Sequence, residues 1–116
     1  MTRLTNSEDS QASSTGIRVA LCTCPNLETA ERLARSLVEA RLAACVNILS
    51  GVLSIYRWRD GIERDTEVLL LIKTTQARTD ALIEHIEQQH PYEVPEILMQ
   101  PIEGGLETYL QWVREC

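Results

Sequence analysis

From Ile17 to Thr23 the chain alternates, with Ile17, Val19 and Leu21 on one side and Arg18, Ala20 and Cys22 on the other. Such alternation predicts a strand, because successive side chains of extended backbone point to opposite faces. Pro25 stops it, and Asn26 offers a helix cap. Leu27, Ala30, Ala34, Leu37, Val38 and Leu42 then recur at helical spacing, with Glu28–Arg32 and Glu31–Arg35 pairing on the polar side. Ala44 to Arg59 reads as one long strand interrupted at Gly51, where a bulge or bend is expected. Asp60-Gly61 predicts a type I′ hairpin turn, and Ile62 to Thr74 returns as a strand. Thr75 is placed to cap a second helix, whose stripe of Leu82, Ile83 and Ile86 extends to His90 before Pro91 ends it. His85 falls on a different face and is expected in solvent. Ile97 to Ile102, bracketed by Pro95 and Pro101, predicts an edge strand. After Gly104-Gly105, the spacing of Leu106, Tyr109, Leu110 and Val113 predicts a last helix.

Strand–helix–strand–strand–helix–strand is the order of an α+β, ferredoxin-like βαββαβ fold. The expectation is an antiparallel sheet with two helices on one face, a long central hairpin and an extra C-terminal helix. Residues 1–16 are polar and aperiodic, which predicts a flexible leader, and residues 17–116 form a single domain. The segment Val68 to Ile72 is apolar on both strand faces. A small antiparallel sheet ordinarily leaves one face wet, so something must cover the second. Oligomerisation would do so and would also satisfy the open hairpin edges; a third helix of the same chain is the alternative.

Composition narrows the function. The chain has 116 residues, 44% hydrophobic and 24% charged, which suits one globular domain. Eleven basic residues face seventeen acidic ones, a net charge of -6. That balance argues against nucleic acid, whose phosphates require a basic face. No apolar run is long enough to span a bilayer, so no membrane partner is expected. Cys22, Cys24, Cys45 and Cys116 are not spaced as a secreted disulfide framework, so free thiols in a reducing cytoplasm are expected.

Cys22 and Cys24 share a strand face, so two thiols could meet one soft metal ion. Small buried hydrophobes are the commoner role of such cysteines. His90, at a helix end and held by Pro91, is a candidate imidazole ligand, and a hydrogen bond to a nearby carbonyl is its ordinary fate. Among Glu63, Asp65, Glu67, Glu93 and Glu96, Glu67 lies just before the apolar strand centre and Glu96 between Pro95 and Ile97, surroundings in which a carboxylate can bind a metal or act as a base, although a solvated hairpin face and a capped loop are the commoner roles of such a set. Tyr56 and Trp58 share a strand face and with Tyr92 could line a pocket or an interface, ordinary packing being the equal alternative. No phosphate loop, nucleophile elbow or zinc helix is present, and the chain is not expected to be an enzyme or to hold catalytic residues.

Several runs in order carry a resemblance: Val19-Ala20-Leu21-Cys22-Thr23-Cys24-Pro25, Leu42-Ala43-Ala44-Cys45-Val46-Asn47, Tyr56-Arg57-Trp58, Glu67-Val68 and Ile72-Lys73-Thr74-Thr75. His90-Pro91-Tyr92-Glu93-Val94-Pro95-Glu96-Ile97 and Tyr109-Leu110-Gln111-Trp112 complete it. Together, over residues 17–114, they resemble the CutA family of divalent-cation tolerance proteins. The resemblance implies a cytoplasmic homotrimer with the architecture of PII-type signalling proteins, in which hairpins pair between subunits. It implies tolerance of divalent metals, copper especially, with weak binding of copper or another divalent cation through Cys22, His90 and Glu67. Gln89 stands where some members carry a second histidine, and Cys24 stands where many carry another small residue. The alternative is a PII-like signalling or scaffold trimer that binds a small molecule or protein at its inter-subunit clefts.

Overall fold

The computed structural model describes residues 14–116. Strand β1 (Ile17–Cys24), helix α1 (Leu27–Glu39), strands β2 (Cys45–Trp58) and β3 (Gly61–Thr75), helix α2 (Thr79–Gln89), strand β4 (Leu98–Pro101) and helix α3 (Glu107–Glu115) follow one another. A 3-10 turn, Gln76–Arg78, precedes α2. The strands form one sheet in the order β2-β3-β1-β4, antiparallel throughout. This is the ferredoxin-like arrangement, with β4 on the edge as its prolines require. Of the leader expected over residues 1–16, residues 1–13 lie outside the described residues. Ser14 and Thr15 are tied to the domain: their hydroxyls donate to the carbonyls of Glu103 and Ile102 at 2.8 and 2.6 Å. Among the described residues no helix is long and apolar enough to cross a membrane.

Helix α1 starts as its sequence dictates. The Asn26 side chain accepts from the Thr29 amide at 2.8 Å. Asn26→Ala is expected to cost about 1 kcal/mol, read as a lower urea midpoint at unchanged m-value. The buried side is Thr29, Ala30, Leu33, Ala34 and Leu37. Leu33 therefore belongs to the stripe, whereas Leu27 and Val38 are exposed. The helix ends in a Schellman motif: the Arg41 amide reaches the Val38 carbonyl and the Leu42 amide reaches the Leu37 carbonyl. Arg41 takes the left-handed conformation that glycine usually fills there, at φ 60°.

The long hairpin differs from expectation at its tip. Trp58 pairs with Gly61, so the two turn residues are Arg59 and Asp60, and only Arg59 has positive φ. The register is set by the strand ladder, and it places Gly61 one position too late for a type I′ turn. The interruption at Gly51 is a bulge, with φ 76° and a register shift between Leu49 and Val52. One extra residue reverses the phase of β2. Val46 and Ile48 before the bulge, and Leu53 and Ile55 after it, thus share a face. Beyond the bulge, Gly61 to Glu67 pairs only with β2, so the hairpin tip forms an arm beyond the body of the sheet.

Helices α1 and α2 pack on Ala20, Cys22, Cys24, Val68, Leu70 and Ile72 of the sheet. They are linked by a polar contact that the helical spacing did not anticipate. His85 Nε2 lies 2.9 Å from the Ser36 hydroxyl, which itself donates to the Leu33 carbonyl, so the ring donates. His85 is therefore half-buried rather than solvated. Thr75 makes no side-chain cap, because the 3-10 turn intervenes before α2. On the opposite face, Leu110 and Val113 of α3 cover Ile17 at one end. Leu21, Leu69 and Leu71 remain half-buried there, and Leu49 and Leu98 are exposed.

Candidate metal centre and adjoining cleft

β1 brings Cys22 and Cys24 onto the helix-covered face, and the end of α2 brings His90 down beside them. The ligand-capable atoms of these three residues lie within 4.8 Å of one another, and all three residues are buried. Pro91 forces His90 out of helical backbone, to φ -82° and ψ 137°, while its amide still closes the last turn on Ile86 at 2.8 Å.

Both imidazole nitrogens are engaged. Nε2 lies 2.7 Å from the Thr23 carbonyl, which can only accept, and Nδ1 receives the Tyr92 amide at 3.1 Å. His90 is thus a neutral ring carrying its proton on Nε2. The side chain of Cys24 beside it, then burial, push the Cys22 thiol far above its ordinary value, and that thiol donates to the Thr23 carbonyl at 3.8 Å. The same pairing with the Cys22 side chain pulls the Cys24 thiol down. Of the pair, Cys24 is the sulfur that ionises first.

Glu67 is not drawn into this group. It is buried at 8% exposure and accepts the Tyr92 hydroxyl at 2.5 Å. Tyr92 therefore bridges two places, with its amide on His90, its ring 4.8 Å from the imidazole and its hydroxyl on Glu67. Beyond Glu67 opens a cleft of about 530 Å³. Tyr56, Trp58 and Tyr92 all line it, as the strand alternation allowed. The Tyr56 hydroxyl donates to Asp65, which pushes the Tyr56 phenol up to about 12. Burial, then the bond to Glu67, push the Tyr92 phenol up as well. Sequence reasoning missed Thr23, because it acts through a backbone carbonyl, a group every residue has.

The donor set fits a soft ion. Two thiolates and an imidazole match copper in its reduced state or zinc, and not the oxygen-seeking magnesium or calcium. The fit has a cost, since two buried thiols must lose protons and one imidazole nitrogen must leave its partner.

Fold and site together define a ferredoxin-like domain with an arm-like hairpin and a buried thiol–imidazole cluster. The sequence pattern of the CutA1 divalent ion tolerance proteins matches residues 18–116, and the chain belongs to that family. The human protein CutA is 48% identical over 99 residues, covering 85% of this chain, which spans only 55% of that relative's length. The divalent-cation tolerance protein CutA of Thermus thermophilus is 50% identical over 97 residues, covering 84% of this chain and 94% of its own length. A solved structure of the divalent cation tolerance protein from Thermus thermophilus superposes with a TM-score of 0.84 at 49% identity, covering 85% of this chain and 96% of that one.

Proposed function

We propose that this chain serves tolerance of divalent metal ions as a cytoplasmic homotrimer that binds copper, or another divalent cation, weakly through Cys22 and His90. Cys24 supplies the second thiol. The observation that carries this reading is the convergence of Cys22, Cys24 and His90 in a buried cluster. The weakness follows from the bonds already made there. A bound ion must displace the Tyr92 amide or the Thr23 carbonyl from the ring, and must release the thiol protons. Glu67 stands one residue contact away, positioning Tyr92 rather than meeting the ion. A binding role needs no catalytic group, and the ion is cargo or signal rather than a reagent.

Assembly rests on the arm. Leu53, Ile55 and Ile62 are at least half exposed there, and among the described residues the arm's outer backbone edges have no strand partner. Copies that pair their arms would cover both, which a sheet of this kind requires.

Two measurements test the proposal on the full chain freed of metal by chelator. Anaerobic calorimetry with Cu(I), and aerobic calorimetry with Cu(II), is expected to show one ion per chain for at least one of them; no saturable heat with either rejects the site. Light scattering is expected to give three times the 13.1 kDa chain mass. A monomer mass at micromolar concentration removes the trimer.

A further inference from the structure

A neutral imidazole has one N–H and one lone pair, and His90 uses both. The N–H at Nε2 goes to the Thr23 carbonyl, and the lone pair at Nδ1 accepts the Tyr92 amide. An ion held by the ring needs a lone pair, and both nitrogens lead to the same result. If Nδ1 meets the ion, its lone pair is withdrawn from the Tyr92 amide. If Nε2 meets it, the ring proton moves to Nδ1, and an N–H then faces the Tyr92 N–H. Two donors cannot share a hydrogen bond. Filling the site therefore releases the Tyr92 amide whichever nitrogen is used, whereas the Thr23 carbonyl is given up only in the second case.

The amide does not leave alone. Only Pro91, whose ring fixes φ, separates His90 from Tyr92, so the N–H turns away by rotation about Pro91 ψ and Tyr92 φ. That rotation carries the Tyr92 ring, which lies 4.8 Å from the imidazole, and with it the hydroxyl that Glu67 accepts at 2.5 Å. Glu67 is buried and stands at the root of the arm. Val68 beside it still pairs with Cys24 of β1, whereas Glu67 pairs with Val52, the first partners beyond the bulge.

We infer that Tyr92 carries occupation of the thiol–imidazole site to the arm. Its amide responds to the ring, and its hydroxyl holds or releases Glu67. The inference rests on metal binding at Cys22, Cys24 and His90 and names how that site is read. Tyr92 is a positioning residue here and not a ligand. Without metal the phenol pins the root of the arm; with metal the pin is withdrawn. By linkage, the Tyr92–Glu67 bond and metal binding oppose each other.

Hydrogen exchange read by mass spectrometry tests this on the full chain. The chain is compared free of metal and loaded with Cu(I) under anaerobic conditions, or with Cu(II) in air where only that ion binds. Loading is expected to speed exchange of residues 52–67 on the order of threefold, as loss of one hydrogen bond does. In Tyr92→Phe the metal-free arm is expected to exchange at the faster rate already, and loading adds nothing. Calorimetry on Tyr92→Phe is expected to show binding about tenfold tighter, because the bond to Glu67 no longer has to break. A tyrosine that merely props the site would weaken binding instead. Glu67→Gln keeps a weaker acceptor and is expected to move both readouts the same way by less, which keeps the test open should Tyr92→Phe not fold. Cys22→Ala with Cys24→Ala is expected to abolish the response of the arm at the same metal concentration. Binding by the parent without faster exchange at 52–67, or with unchanged or weaker affinity in Tyr92→Phe, overturns the inference and leaves the metal site standing. An arm response that persists without the two thiols also overturns it. Absence of binding by the parent rejects the metal site and the inference with it.

Discussion

A Cys22→Ala, Cys24→Ala chain is expected to bind Cu(I) more than about 100-fold more weakly than the parent. Removing a group that merely orients a ligand already costs about 10–100-fold, and here the two softest donors go. The thiols are the informative targets because they can be removed at small structural expense. Each is a buried small hydrophobe, and deleting its sulfur costs roughly 1 kcal/mol of packing. His90→Ala is a poorer test, since it would also strand the Thr23 carbonyl and the Tyr92 amide.

The pH dependence of the same experiment has a defined sign. At neutral pH Cys22 is held protonated, by the neighbouring Cys24 side chain and by burial, so binding must expel that proton. Each proton released makes affinity rise about tenfold per pH unit, so Cu(I) affinity climbs with pH in the parent and stays flat in the double variant. Without metal the effect on folding runs the other way. The Cys22 pKa is raised in the folded chain, so its contribution is complete below the unfolded thiol value of about 8.5 and is lost as pH rises above it. Thermal unfolding from pH 7 to pH 10 reads this loss, which the Cys22→Ala change would reduce.

Much of this site was legible before any coordinates, and the reasons are specific. The i, i+2 spacing of Cys22 and Cys24 fixed a shared face once β1 was assigned, and Pro91 fixed where α2 must stop beside it. A bond from His90 to a nearby carbonyl was expected of a histidine at that helix end, but which carbonyl, and that a second backbone group takes the other nitrogen, was not legible, because the partners come from residues 23 and 92. Glu67 was singled out by its place just before the apolar strand centre, with a metal or base role in view. Its partner Tyr92 lies 25 residues away, a pairing that only the tertiary fold sets. The cleft was half visible: the common face of Tyr56 and Trp58 follows from strand period, while Glu93 and Glu96 join through the loop after α2.

The fold shows the same division. Alternation and helical spacing placed every strand and α-helix, though not the 3-10 turn Gln76–Arg78, and Gly51 marked the bulge. The turn at Arg59-Asp60 was misread because Asp-Gly is a strong local signal that the strand register overrode. The end of α1 left no glycine to read, since Arg41 occupies the left-handed position. Ser36–His85 joins two helices 49 residues apart, so helical spacing alone suggested solvent for His85.

Leu70→Ala is the substitution expected to cost the fold most, about 3 kcal/mol within the usual range of 2–5. Leu70 is fully buried on β3, one of the two interior strands, and pairs with Cys22 on one side and Ile48 on the other. It sits in one cluster with Leu33, Leu37, Leu82 and Ile86, so truncation opens a cavity that neighbours on both helices must collapse to fill. Ile55→Ala removes comparable apolar volume from the arm, where the side chain is 67% exposed in the single chain. Within one chain that change should cost under about 0.5 kcal/mol, as surface substitutions do. If arms are buried between copies, its cost must instead approach that of a core residue and depend on protein concentration, because association and folding are then one equilibrium. Urea unfolding of both variants at two protein concentrations separates these cases: a Leu70→Ala loss that is independent of concentration beside an Ile55→Ala loss that grows on dilution places the arm in an interface.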